Sequence, residues 1–204
     1  MKSILMLSFF LFIYNKEYKC LDDGLQDIIS QRLNCRSLSY DVERINNGFL
    51  YVLPQKNVKI YLSNNPSKDF IQIDDNKMPI TRNTNFRDVI YELQDIRKFK
   101  YLGKKYYLFS MNPMLGKNGQ TVNIIINAAT KGNAHIIFNE VNYNDDLATS
   151  IGINKGELFL LNQQIDSVHY FGLKGGRFKY DKNRSVKCKY DSTYKVCVPI
   201  GYCW

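Results

Sequence analysis

Apolar and polar residues alternate along most of this chain, in runs of about the length of a strand. In the stretch "SLSYDVERINNGFLYVLP", residues 37–54, two alternating runs flank Asn47-Gly48, a pair suited to a tight turn with positive φ. The pattern predicts a hairpin there, with further strands at Val58 to Leu62 and Phe70 to Ile73. From Phe99 onward nearly everything reads as hairpins. "FKYLGKKYYLF" turns at Gly103-Lys104, and "TVNIIINAATKGNAHIIFNEV" turns near Lys131-Gly132-Asn133. "ELFLLNQQIDSVHYFGLKGGRFKYD" turns near Asp166 and at Gly175-Gly176, and "VKCKYDSTYKVCVPI" reads as a final hairpin.

Two segments carry a different period. In residues 22–34, Leu25, Ile28, Ile29 and Leu33 fall three and four apart, and Asp22 or Asp23 can cap a helix. In residues 85–97, Phe86, Val89, Ile90, Leu93 and Ile96 form an apolar stripe, and Asn85 followed by Asp88 resembles a helix cap. The expected fold is therefore mostly β (α+β): a hairpin-rich antiparallel sandwich, curled sheet or barrel with two short helices. No internal repeat or low-complexity linker divides the body, which reads as one β-rich domain over residues 21–204.

The first twenty residues read as a leader. Lys2 precedes an eleven-residue apolar run, Ile4 to Tyr14. That is too short for the ~20 apolar residues of a membrane span and suits the core of a signal peptide. Residues 1–20 are thus expected to be a signal peptide, leaving no transmembrane segment in the mature chain. Export would be to a periplasm, a cell surface or the medium.

Composition adds a large core and a charge. Hydrophobic residues make up 45% of the 204, enough to exclude general disorder, and the net charge is +9. Much of that charge is at the end of the chain. From Lys174 to Trp204, eight basic residues face two acids. On a strand, Arg177, Lys179 and Asp181 share one face and Phe178 and Tyr180 the other. Lys187 and Lys189 likewise share a face. Lys174, Arg177, Lys179, Lys187 and Lys189 are therefore candidates for binding a polyanion, beside the plainer reading of a solvated lysine face that blunts a sheet edge. An exported protein meets anionic glycans, lipid headgroups or protein partners before nucleic acid.

Catalytic signatures are missing. No G-x-S-x-G, H-E-x-x-H or P-loop pattern occurs, and His135 and His169 each lie in a strand-like run. Asp74-Asp75 and Asp145-Asp146 are adjacent acids that suit turns better than the two walls of a glycosidase cleft. The enzymatic alternative is a secreted hydrolase pairing Glu140 with Asp145 or Asp146, and a small secreted toxin or inhibitor is a third reading. Residues 143–161, "YNDDLATSIGINKGELFLL", resemble an FG-GAP repeat of β-propellers at Asp145-Asp146-Leu147-Ala148 and Gly156 to Leu161. The resemblance occurs once and covers about a tenth of the chain. "FNEVNY" stands where the calcium-binding stretch of such repeats would be, so no family assignment or calcium site is drawn from it.

Of the five cysteines, three fall in the last seventeen residues, spaced Cys188-x8-Cys197-x5-Cys203. That spacing lacks the close pairs of a zinc site, and no cofactor or metal is called for. After loss of Cys20 with the leader, Cys35, Cys188, Cys197 and Cys203 are expected to form disulfides. Cys188–Cys197 with Cys35–Cys203 fits a four-residue "DSTY" loop; Cys197–Cys203 with Cys35–Cys188 fits a shifted register. The leading expectation is an exported, noncatalytic β-rich module that binds a surface, glycan, anionic polymer or protein.

Overall fold

A computed structural model describes residues 31–33, 35–53, 57–81, 89–114, 120–128, 133–142, 150–164 and 167–187. Three short strands come first: β1 (Gln31–Arg32), β2 (Arg36–Ser37) and β3 (Asp41–Ile45). β3 is followed by β4 (Gly48–Leu53), β5 (Val58–Ser63), β6 (Phe70–Ile73) and β7 (Asn76–Pro79), which pair in chain order as the first antiparallel sheet. The second sheet contains β8 (Tyr91–Tyr101), β9 (Lys104–Pro113), β10 (Thr121–Asn127) and β11 (His135–Asn142), with β2 added beside β8. The third contains β12 (Ser150–Asn154), β13 (Glu157–Gln163), β14 (Ser167–Lys174) and β15 (Arg177–Lys187), with β1 added beside β12. The expected mostly β, antiparallel architecture is present, and none of the sheets closes into a barrel.

The second sheet is the middle layer. One of its faces, with Leu93, Ile96, Phe109, Met111, Ile124 and Ile126, packs on Leu53, Ile60, Leu62 and Ile71 of the first sheet. The opposite face, with Phe99, Leu108, Ile125 and Phe138, packs on Leu158, Leu160, Phe171 and Phe178 of the third. Side chains on a strand point alternately to either face. A strand covered on both faces must therefore be apolar throughout or satisfy its polar groups internally. All seven residues of β10 are buried, and its Asn123 accepts a hydrogen bond from the Ser110 hydroxyl at 2.8 Å.

The two helices expected from the sequence are not found where the residues are described. Tyr91–Arg97, the second half of the 85–97 segment, belong to β8. The register between β8 and β9 shifts at Leu93/Asp95, so Gln94 is an extra, bulged residue. This bulge changes the spacing between inward residues Leu93 and Ile96 from two to three, which imitates a helical stripe. Gln31–Arg32, near the end of the 22–34 segment, pair as β1 with Ile153 and Gly152. Leu33, Val89 and Ile90 are described and are not helical, and residues 22–30, 34 and 85–88 lie outside the described residues. Among the described residues the one helical turn is a 3-10 turn at Pro66–Lys68, capped by the Asn65 side chain.

The hairpin turns agree closely with expectation, two of them displaced by one residue. The β3–β4 turn is Asn46-Asn47, with the positive φ at Asn46, and Gly48 is already in the strand. The β8–β9 turn is Leu102-Gly103, both with positive φ, rather than Gly103-Lys104. Gly175 and Gly176 form the β14–β15 turn at φ 61° and 80°, as expected. The β10–β11 and β13–β14 hairpins also form, while parts of their turns and the final hairpin beyond Lys187 lie outside the described residues.

Candidate functional sites

The β14–β15 hairpin has two faces of opposite chemistry. Cross-strand pairing places Lys174 opposite Arg177, Gly172 opposite Lys179, and Tyr170 opposite Asp181. Lys174, Arg177 and Lys179 are thereby collected on one exposed face, directed away from the middle sheet. Two acids moderate it. Asp181 lies 3.7 Å from the Lys174 ammonium and 3.6 Å from the Arg184 guanidinium, and Glu157 binds Arg184 at 2.7 Å. Arg184 reaches this position through a wide irregularity of β15. Val186 pairs with Val168 and Asp181 with Tyr170, so four residues of β15 stand opposite His169 alone. The Ser185 hydroxyl closes the bulge, accepting from the Tyr170 amide at 3.0 Å and donating to the Asp181 carbonyl at 2.7 Å.

Arg184 also donates to the Tyr170 hydroxyl at 2.8 Å, with its guanidinium 5.0 Å from the Tyr170 ring centre. Burial pushes the Tyr170 phenol pKa up, and the hydrogen bond from Arg184 pulls against it. Lys187 lies at the end of β15, and Lys189 lies outside the described residues.

The other face of the hairpin enters a cleft of about 400 Å³ between the second and third sheets. β11 contributes Glu140 and Val141; β13 contributes Asn162, followed by Gln164; His169 and Phe171 come from β14 and Tyr180 from β15. The Asn162 and Gln164 amides both donate to the Val141 carbonyl, at 3.1 and 3.0 Å. Asn162 is 1% exposed, and its Oδ1 is buried without a hydrogen-bond partner. Phe171 and Tyr180 form a cross-strand aromatic pair with centroids 5.7 Å apart, and His169 lies 4.9 Å from Tyr180. Glu140 is open to solvent on one side, yet the cleft removes part of its hydration and pushes its carboxyl pKa up.

The remaining candidates are apart from this cleft. His135 is exposed at the start of β11, with Nδ1 3.1 Å from the Asn133 carbonyl. Asp74 occupies the β6–β7 turn at φ 52° and accepts from Asn57, in keeping with a turn role. Asp145, Asp146, Cys188, Cys197 and Cys203 lie outside the described residues, while Cys35 is buried in the core shared by the second and third sheets. Among the described residues, no group of three His, Cys, Asp or Glu could hold a metal ion. Nor is any helix among them long and apolar enough to cross a membrane. Sequence reasoning overlooked Asn162 and Gln164 as site residues. The only available signal was an uncharged polar pair at the end of the apolar run "ELFLL", which any strand end can show. No known protein family, curated protein or solved structure matches the chain.

Proposed function

We propose that this protein is an exported, noncatalytic binding module that takes an anionic glycan or similar polyanion on the outer face of the β14–β15 hairpin. The observation that carries this reading is the exposed row of Lys174, Arg177 and Lys179 on one side of a two-stranded edge. Three cations on a rigid hairpin can engage regularly spaced anionic groups without ordering a loop first, which lowers the entropic cost of binding. Glu157 and Asp181 hold Arg184 in place and keep the face from being uniformly positive. Such binding weakens steeply with salt, because each contact releases condensed counterions.

The test is retention on heparin resin. Arg177→Glu with Lys179→Glu should elute at clearly lower salt than the parent, while the thermal midpoint stays nearly the same. Exposed substitutions usually shift stability by less than about 0.5 kcal/mol. Equal retention would leave the lysines as a solvated surface. Export is tested by the N-terminus of secreted material, expected near residue 21; a start at Met1 would remove that part of the proposal.

Disulfides belong to the same reading. Cys35 is buried at 4% exposure, where a covalent tie would fasten the start of the domain to the C-terminal segment. The proposed pairs are Cys35–Cys203 and Cys188–Cys197. The hydrolase alternative has one observation in its favour: a general acid needs a raised carboxyl pKa, and Glu140 has one in a cleft. Turnover of a glycoside or ester by the parent that is abolished in Glu140→Gln would favour it.

A further inference from the structure

We propose that the cleft between β11 and the third sheet is a binding site for a guanidinium or primary ammonium group. Asn162 and Gln164 each commit an amide N–H to the Val141 carbonyl, which fixes the orientation of both groups. Their carbonyl oxygens are left as acceptors, and Asn162 Oδ1 has no partner. A buried acceptor without a donor is costly, and a donor-bearing ligand or a water would relieve it.

Glu140 adds charge to this acceptor set. Burial desolvates its carboxyl group and raises its pKa, and among the described residues that line the cleft there is no lysine or arginine to counter it. A cation seated in the cleft would supply the missing countercharge, and the partial desolvation would strengthen the attraction. Tyr180, half exposed, and Phe171 provide aromatic surface beside these acceptors. A planar guanidinium can stack on such a ring while its N–H groups reach a carboxylate. An anion finds no lysine or arginine among the lining residues. The protein's positive charge does not prevent this, since exposed charges more than about 8–10 Å away are largely screened at physiological salt.

The cleft is distinct from the basic face described above. Lys179 and Tyr180 are neighbours in β15, but their side chains point to opposite sides of the sheet. One hairpin would thus present cations outward and aromatic rings toward the cleft.

Titration of the full chain with butylguanidinium and with N-butylurea, its neutral counterpart of nearly the same shape, tests the charge requirement by calorimetry. The guanidinium should bind at least roughly tenfold tighter, a difference of about 1.4 kcal/mol. Glu140→Gln should reduce the guanidinium to the level of the urea and leave heparin retention unchanged. Tyr180→Ala should weaken the guanidinium by severalfold. Tetramethylammonium, a cation without N–H donors, should bind more weakly than butylguanidinium. An acetylated, amidated Gly-Gly-Arg-Gly-Gly peptide separates the two sources of the group. Binding as tight as butylguanidinium indicates an arginine on a protein partner, and exclusion of the peptide indicates a free small molecule. Equal binding of guanidinium and urea, no binding of either, or an unaltered affinity in Glu140→Gln would overturn the proposal.

Discussion

At Gly48 an added Cβ would lie 2.4 Å from the Leu62 carbonyl oxygen and 3.0 Å from the Ser63 Cα. Both are backbone atoms held in the β4–β5 ladder, so the sheet must move to admit a methyl group. Gly48→Ala should cost roughly 1–3 kcal/mol, the range for overpacking a fixed site. Gly103 differs, with φ at 72° and nothing within 4 Å of the added atom. Gly103→Asn should stay close to the parent, because asparagine tolerates the left-handed region. Urea denaturation of the two variants distinguishes crowding from conformation. Glu140 makes a separate prediction. Its folded carboxyl pKa is raised, so the unfolded chain ionises first as pH increases. Glu140 by itself therefore lowers stability as pH rises through the carboxylate range. Glu140→Gln should be at least as stable as the parent at neutral pH, and any advantage should shrink toward pH 3. A pair of thermal melts at each pH checks the sign.

β8 shows how one inserted residue governs an element. Tyr91 and Leu93 face the first sheet, and the bulge at Gln94 returns Ile96 to that same side. Beyond it, Phe99 faces the third sheet and stacks on Tyr106 at 5.1 Å. A register slip of one residue exchanges the faces of every side chain that follows. Deleting Gln94 should therefore abolish cooperative folding, since Ile96 and the residues after it would change sides. Gln94→Ala keeps the residue count at an exposed position and should fall within about 0.5 kcal/mol of the parent. Circular dichroism melts of the deletion and the substitution give the comparison. If the deletion melts like the substitution, the bulge does not set the register. The four-residue irregularity of β15 has a different role, presenting Arg184 to Tyr170 and Glu157.

Residues 31–45 visit all three sheets in fifteen positions: β1 joins the third, β2 the second and β3 the first. Two of these strands cover edges, β1 that of β12 and β2 that of β8. Unpaired edges are templates for association with other chains. Removing residues 1–38 should expose both edges and produce oligomers in size-exclusion chromatography. Monomeric behaviour of that truncation would deny the two short strands a protective role. The proposed Cys35–Cys203 bond would start from the same segment. By the chain-entropy model such a long closure contributes on the order of 5 kcal/mol, against roughly 2.5 for Cys188–Cys197. Peptide mapping without reductant should recover the Cys35–Cys203 pair from the mature protein. Free thiols throughout would remove the staple.

Local information in the sequence determined many of the strands of this protein, though not β1 or β8. Alternation placed Phe70–Ile73 and most of β5, and the glycines at 175 and 176 placed their turn, because these features depend on φ preferences and on a period of two. The same alternation put Arg177 and Lys179 on one face and Tyr180 on the other, as the pairing of β14 and β15 bears out. Tertiary structure decided what each face meets. A strand buried on both sides and interrupted by a bulge gives the apolar spacing of a helix, so β8 could not be distinguished by period alone. The cleft has the same origin. Glu140, Asn162 and Tyr180 come from three strands and are separated by up to forty residues, and nothing local in the chain encodes their meeting. Only the packing of the third sheet against the second brings their side chains around one space.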